Sequence, residues 1–265
     1  MINILKLLKV DFVERTKKGD KKMNYIGSKN RLSKELVPII QSYIDNMPNC
    51  NGYLEPFVGG ANVIDKIKCE NKYGSDVNKY LIALLEKAKN DVKDIPSTIT
   101  KEEYNRVKNN KENYEDWYVG LLGFMCSYNS KWFGGFNNNI QTKQGVRNYA
   151  EESIRGLIKQ SHLLKDIVFN CCDFRYIKDI ENFVIYCDIP YKNTTKYATL
   201  DFPYEEFYSW CRKMSKNNVV LISEYDMPND YFECIWEKKV TTTLNNNRGV
   251  NNEKNNRTEK LFICK

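Results

Sequence analysis

The sequence predicts an α/β fold: a Rossmann-like sheet with helices on both faces, interrupted by a mainly helical insertion. Three observations predict it. From Tyr53 onward, short apolar runs alternate with helical patterns, the rhythm of successive βαβ units. After Ile95 that rhythm stops, and the chain becomes rich in aromatic residues, Asn and Lys. Near Asp166 strand-like runs resume, so the two stretches belong to one sheet.

Residues 1–22 end in Lys17-Lys18-Gly19-Asp20-Lys21-Lys22 and read as a short solvated extension; Met23, which follows, is itself a candidate start. Tyr25-Ile26-Gly27-Ser28-Lys29 precedes a helical pattern over residues 31–40. Residues 53–57 read as a strand, 62–69 as a helix, 72–76 as a second strand and 78–88 as a second helix. In the insertion, helical stretches fall at residues 102–108 and 117–125. Strands are then expected at 166–171, 183–188 and 218–223, with a helix at 203–216 whose first turn suits Pro203, because its missing N–H has no intrahelical partner there. Residues 245–260 are polar enough to read as a mobile loop, and 260–264 as an edge or hairpin strand. The predicted organisation is an extension at 1–22, a discontinuous domain of 23–95 and 165–265, and an insertion at 96–164.

A chain of 265 residues with 42% hydrophobic content can bury a full core. Its nine cysteines are scattered, with no CxxC pair and a single histidine, His162. They read as reduced thiols in a cytoplasmic compartment, with no metal site. No apolar run approaches the roughly 18 residues that a membrane span requires, and residues 1–10 are too short and too lysine-interrupted for a signal peptide. A net charge of +7 and a pI near 8.8 fit a polyanion partner, although heavy use of Asn, Lys, Ile and Tyr also follows from AT-rich coding. Neither helical stripe is long enough for a coiled coil, so oligomeric state stays open, with a monomer compatible.

Glu55-Pro56-Phe57-Val58-Gly59-Gly60 sits where a strand gives way to a predicted helix, a junction that uses glycine to let backbone approach a ligand. By itself such a turn is more often structural. Asp76, 17 positions beyond Gly59 at the end of the next strand, adds a carboxylate placed to accept hydrogen bonds from both ribose hydroxyls of a nucleoside cofactor. The spacing is not GxGxxG and no Walker lysine loop is present, which disfavours NAD and ATP. Upstream, Lys29 is either solvated or folds with Tyr25 over the same cofactor, pairing its carboxylate.

Phe183-Val184-Ile185-Tyr186-Cys187-Asp188 reads as a buried strand ending in an acid, and Pro190 blocks its continuation. A strand-terminal Asp is often only a turn former. Its chemical alternative begins from an exocyclic amine such as adenine N6, whose lone pair is delocalised into the ring. Methyl transfer to it needs acceptors that hold the amine protons and let nitrogen pyramidalise. The Asp188 carboxylate and the Ile189 carbonyl are such acceptors, Pro190 fixes the bend, and the Tyr191 ring offers a stacking face. A duplex hides this amine, so the nucleotide must be flipped out.

The segments at residues 25–29 and 55–60, Asp76-Val77-Asn78, and Asp188-Ile189-Pro190-Tyr191 together resemble the successive motifs of the Dam-type adenine-N6 DNA methyltransferases. The resemblance covers most of residues 23–265. It implies a Rossmann-like methyltransferase sheet, S-adenosylmethionine as cofactor and double-stranded DNA as partner, in the setting of restriction-modification. Position by position, it implies that Tyr25, Lys29, Asp76 and Asp188 contact the cofactor and that Glu55, Phe57 and Gly59 shape its pocket. Cys172-Asp173-Phe174 resembles the segment beside the cofactor adenine, which brings in Asp173 and Phe174. The insertion corresponds to a target-recognition subdomain, where Tyr128-Asn129-Ser130-Lys131-Trp132-Phe133-Gly134-Gly135-Phe136 mixes aromatic, basic and flexible residues. Lys131 and Arg147 are the expected DNA contacts; Arg248 and Arg257 either close over phosphate or are solvated.

The commoner family pattern has proline where this chain has Ile189. The change removes rigidity but keeps the carbonyl oxygen, so activity is expected to survive. Two other readings keep the fold: transfer to RNA or to a protein amide, and a non-catalytic DNA-binding relative. Protein-directed relatives usually carry Asn in place of Asp188, which weighs against the amide.

Overall fold

Helix α1 (Ser33–Asn46) in the computed structural model buries Leu36, Ile40 and Ile44 at four-residue spacing, the stripe that keeps one helical face in a core. The structure describes residues 23, 25, 27–137, 139–142, 145–191, 202–241 and 256–265. After α1, strands β1 (Gly52–Glu55) and β2 (Lys72–Asp76) pair in parallel, with Leu54 opposite Tyr73. Helix α2 (Lys79–Asn90) begins where the Asn78 side chain accepts the backbone N–H groups of Tyr80 and Leu81, a side-chain cap for two otherwise unpaired donors.

The insertion contains α3 (Lys101–Asn109), capped by Thr100, and α4 (Asp116–Gly120), which runs into one π turn at Leu121–Met125. A Cβ on Gly120 would collide with the Tyr80 carbonyl, so a side chain there would push α4 away from α2. An antiparallel hairpin follows, β3 (Asn139–Thr142) with β4 (Gly145–Asn148), and α5 (Tyr149–Gln160) continues directly from it. Tyr104, Val119 and Leu122 share one core with Leu81 and Leu85 of α2. The insertion is therefore packed onto the core of the sheet domain, continuous with it.

The sheet resumes with β5 (Ile167–Cys171) and β6 (Phe183–Asp188), then α6 (Tyr204–Met214), β7 (Val219–Glu224), β8 (Phe232–Thr241) and β9 (Asn256–Cys264). Among the described residues seven strands form one sheet in the order β5-β2-β1-β6-β7-β9-β8. The first five are parallel; β9 joins β7 antiparallel, and β8 closes the edge. Strand order runs outward in one direction from β1 to β2 and β5, and in the other from β6 to β7. The boundary between β1 and β6 is thus the topological switch point, where the carboxyl ends of strands leave a crevice.

The α/β sheet, its interruption and its resumption follow the sequence expectation, with strand ends displaced by a residue or two. Four expectations need correction. The helix at 62–69 is only a 3₁₀ turn, Ile64–Lys66. Ala61 adopts positive φ, and the Asn62 and Asp65 side chains bond Met23 and Gln160, which diverts the segment from a helical ladder. The expected loop at 245–260 is strand from Asn256 onward. Its polar residues fit there because an antiparallel ladder satisfies the backbone whatever the side chains are. Residues 245–255, Arg248 among them, lie outside the described residues. The insertion also holds the β3–β4 hairpin beside its helices, and β8 has no counterpart among the expected strands. Among the described residues no helix is long and apolar enough to cross a membrane.

Candidate active site

The turn after β1 reverses at Gly59, whose φ of +48° is a left-handed conformation that glycine adopts without steric cost. A Cβ there would lie 3.1 Å from the Tyr25 ring, so the absent side chain lets that ring close down on the turn. At the end of β2, Asp76 accepts the Asn78 N–H at 3.0 Å and the Gly59 N–H at 3.4 Å. Burial outweighs these donors and pushes its carboxyl up to about 6. Burial, with Asp76 nearby, also raises the Tyr25 phenol. Asp76, Gly59 and Tyr25 thus form one cradle.

Gln160, at the end of α5, locks that cradle from behind. Its side-chain amide donates to the Gly60 and Ala61 carbonyls at 3.2 and 3.1 Å and to Asp65 at 3.0 Å, while its oxygen accepts the Met23 N–H. Beside it Asn62 donates to the Met23 carbonyl, yet its own buried side-chain oxygen has no hydrogen-bond partner among the described residues. A Cβ-free turn, an acceptor carboxylate and an orphaned buried oxygen suit a hydroxyl-rich nucleoside. One side of the crevice is apolar: the Phe57 ring lies 5.6 Å from that of Phe174 and 5.7 Å from that of Phe207. Asp173 caps the turn beginning at Phe174 by accepting the Arg175 N–H, and a bond to the Arg175 guanidinium holds its carboxyl below the usual range.

Across the switch point, Asp188 ends β6. The Lys29 ammonium donates to its Oδ1 at 2.6 Å and lies 4.4 Å from the centre of the Tyr191 ring. Burial raises the Asp188 carboxyl, and Lys29 opposes that shift. Ile189 packs its side chain, 3% exposed, into the cluster that includes Cys187 and Phe207. This burial anchors the turn where the commoner pattern relies on proline. The Pro190 carbonyl accepts the Tyr204 hydroxyl at 2.8 Å. Glu55 ends β1 between the two halves, buried and bonded by the Tyr53 hydroxyl at 2.7 Å; burial raises its carboxyl well above the usual range.

Sequence reasoning misses three contributors. Glu259 of β9 accepts the Tyr191 hydroxyl at 2.7 Å, and the Tyr225 ring meets that of Tyr191 edge-on at 4.4 Å. Gln160 is the third. Glu259 falls in the stretch whose polarity reads as a loop, and neither Tyr225 nor Gln160 stands in a recognisable local motif. Arg257 is neither solvated nor in a loop: it donates to the Tyr225 hydroxyl at 3.3 Å.

The expected DNA contacts lie on the insertion. Lys131 is exposed, as are Tyr128 and Trp132, the latter stacked on Tyr80, whereas Phe133 is buried and Phe136 packs against the core, so half of that aromatic run serves the core. Arg147 on β4 is already paired with Glu152, its Nε donating at 2.7 Å. In the hairpin, Ile140 faces Arg147 and Val146 faces Gln141. Opposed residues share a face, so Ile140 and Val146 point to opposite sides, and both are exposed.

The profile of the D12 class N6 adenine-specific DNA methyltransferases matches residues 25–251. The chain is 26% identical to the Type II methyltransferase M.FokI of Planomicrobium okeanokoites over 65% of its own length, but spans only 29% of that relative. It is 25% identical to the Type II methyltransferase M.MjaIII of Methanocaldococcus jannaschii, covering 75% of this chain and 84% of that one. With a DNA adenine methylase of Haemophilus influenzae it shares 27% identity over 68% of each chain. Membership of such a family implies S-adenosylmethionine use and a DNA substrate in general terms. On the match across most of its length, this chain belongs to the D12 class N6 adenine-specific DNA methyltransferase family.

Proposed function

We propose that this protein transfers a methyl group from S-adenosylmethionine to adenine N6 in a flipped-out nucleotide of a specific duplex DNA sequence. The observation that carries the reading is the pairing of two strand-end acids across one crevice, Asp76 with its glycine turn and Asp188 with the Tyr191 ring. In this reading Asp76 accepts the cofactor ribose hydroxyls, and Phe57, Asp173 and Phe174 flank its adenine. Tyr25, Lys29, Glu55 and Gly59 close the rest of the pocket. The cofactor supplies an electrophilic methyl group.

Asp188 and the Ile189 carbonyl accept the two protons of the target amine, which favours the pyramidal nitrogen of the transition state over the planar ground state. The Tyr191 ring stacks on the base, and the Tyr204 bond to the Pro190 carbonyl keeps the turn from drifting. Flipping costs a few kcal/mol, recovered by these contacts. On the insertion, Lys131 reaches phosphate, the two-sided hairpin of Ile140 and Val146 enters the groove, and Arg147 turns to DNA by exchanging Glu152 for phosphate. The Type II designation of two relatives supports a role in restriction-modification.

Tritium transfer from labelled cofactor, offered DNA, RNA and protein, tests the acceptor, and base-resolved mapping of methylated adenines gives the site. Label in DNA adenine is expected; label confined to RNA or protein overturns the reading. In Asp188→Ala, labelling should fall by about 10²–10³-fold with cofactor binding intact. Undiminished labelling in that variant would remove Asp188 from the chemistry.

A further inference from the structure

The Lys29 ammonium occupies the place that the adenine reading assigns to the target amine. It donates to Asp188 Oδ1 at 2.6 Å, and it lies over the Tyr191 ring at 4.4 Å. A flipped base that stacks on Tyr191 needs the same ring face, even though the Asp188 carboxylate has acceptor sites for more than one donor. Both cannot be there together. Lys29 is only 7% exposed in its side chain, so it cannot simply withdraw into water. A buried ammonium that loses its partner without gaining another is strongly disfavoured.

A second carboxylate stands beside it. Glu259 Oε2 lies 4.0 Å from Lys29 Nζ, and a shift of about 1 Å brings that separation to hydrogen-bond range. Glu259 already accepts the Tyr191 hydroxyl on the same oxygen at 2.7 Å, and a carboxylate has about four acceptor sites, enough for both donors. It projects from β9, where it pairs with Lys238 of β8 in the stretch of antiparallel ladder beyond the bulge between Cys234 and Trp236. Tyr225, itself bonded by Arg257 of β9, braces Tyr191 edge-on. The carboxylate is therefore fixed while the flexible lysine stem moves.

We propose that Glu259 is a positioning residue: it receives the Lys29 ammonium when the target amine displaces it from Asp188, and it holds Tyr191 in place during the exchange. The proposal rests on the adenine-N6 reading above. Before the base arrives, Lys29 pairs with Asp188 and fills the amine position. Once the base is seated, Asp188 accepts hydrogen bonds from the neutral amine and Glu259 takes the ammonium, so the buried cation has a carboxylate partner at both stages.

The test uses the full chain, saturating S-adenosylmethionine and a duplex carrying the mapped target sequence with 2-aminopurine at the target adenine. An alkaline pH favours the ionised Asp188 carboxylate in every variant. Glu259→Gln retains an oxygen for the Tyr191 hydroxyl but has no charge for Lys29. It should lower the fluorescence gain on duplex binding, and the single-turnover methylation rate of the unmodified duplex, by about tenfold, with cofactor Kd unchanged. Glu259→Asp should restore part of both. In a Lys29→Met background the Glu259→Gln change should have no further effect on fluorescence, because nothing remains to be relocated; a purely structural role would act in both backgrounds.

Lys29→Met alone gives an independent reading should Glu259→Gln fail to fold. With no ammonium to displace, its fluorescence gain should exceed that of the wild type, and an equal or smaller gain overturns the proposal. So does a Glu259→Gln variant that matches the wild type, or one whose effect persists undiminished without Lys29. A wild-type protein that methylates no duplex DNA would instead defeat the adenine-N6 reading itself.

Discussion

Two acids end parallel strands of the same sheet, and they are held in opposite ways. Asp76, on β2, is gripped by backbone N–H groups of its own neighbourhood, Asn78 and Gly59. Asp188, on β6, is gripped by a lysine 159 positions away. Backbone donors are fixed by the turn that carries them, so the cofactor side is preorganised by local geometry. A lysine on a flexible stem is replaceable, so the amine side can exchange partners. The difference suits the two tasks in the proposed function, where one half binds the cofactor and the other admits a base and releases it.

Removing the long-range partner should break this contrast most visibly. Lys29→Ala removes the cation that opposes the effect of burial on Asp188, so its carboxyl rises further and the fraction of the stronger, ionised acceptor falls. Methyl transfer should fall by about 10²–10³-fold. The acid limb of its pH profile should move upward, because losing the cation raises the Asp188 carboxyl further. Rate against pH for both proteins checks this; an unmoved limb would show that Lys29 does not govern Asp188.

The cofactor side should also yield to loss of its distant brace on α5. Gln160→Ala leaves the Gly60 and Ala61 carbonyls without that donor, and urea unfolding should register a loss of about 2 kcal/mol. Cofactor affinity should weaken with it, because the glycine turn loosens. If affinity were unchanged, the turn would be held by its own backbone alone.

Asp76→Asn should weaken cofactor binding about tenfold while leaving the Asp188 side untouched. The wild type should also show a pH signature. Its free carboxyl titrates at about 6, and the ionised form is the better acceptor for ribose hydroxyls. Affinity is therefore full above that pH and falls as the pH drops through it. Calorimetric titration of S-adenosylmethionine at several pH values should give a sloped curve for the wild type and a flat one for Asp76→Asn. The smallest effect belongs to Ile189→Val, which trims a buried methyl and should cost about 1 kcal/mol of stability with little change in rate. A large rate loss there would mean that the Ile189 side chain, and not only its carbonyl, positions the amine.

Both acids are legible in the sequence, because each closes a strand-like run and a strand end is a local signal. The glycine turn is equally legible, but the helix expected after it is not realised. Asn62 and Asp65 have polar side chains compatible with a helix surface, and only the folded chain reveals that Met23 and Gln160 claim them. β9 is only half legible for a related reason: its first residues are too polar for a periodicity criterion, and only pairing with β8 makes them a strand.

By itself, then, the sequence determined the order of strands along the chain, the acids at two of their ends and the turn that lets a ligand approach. These depend on residues within a few positions of one another, where propensity and sterics act directly. Tertiary structure alone decided which groups those acids and rings meet: Lys29 at Asp188, Glu259 at Tyr191, and Gln160 at Gly60, across separations of 159, 68 and 100 residues. Such pairings are set by the lateral order of strands in the sheet and by the docking of the insertion against it, and no local pattern records either.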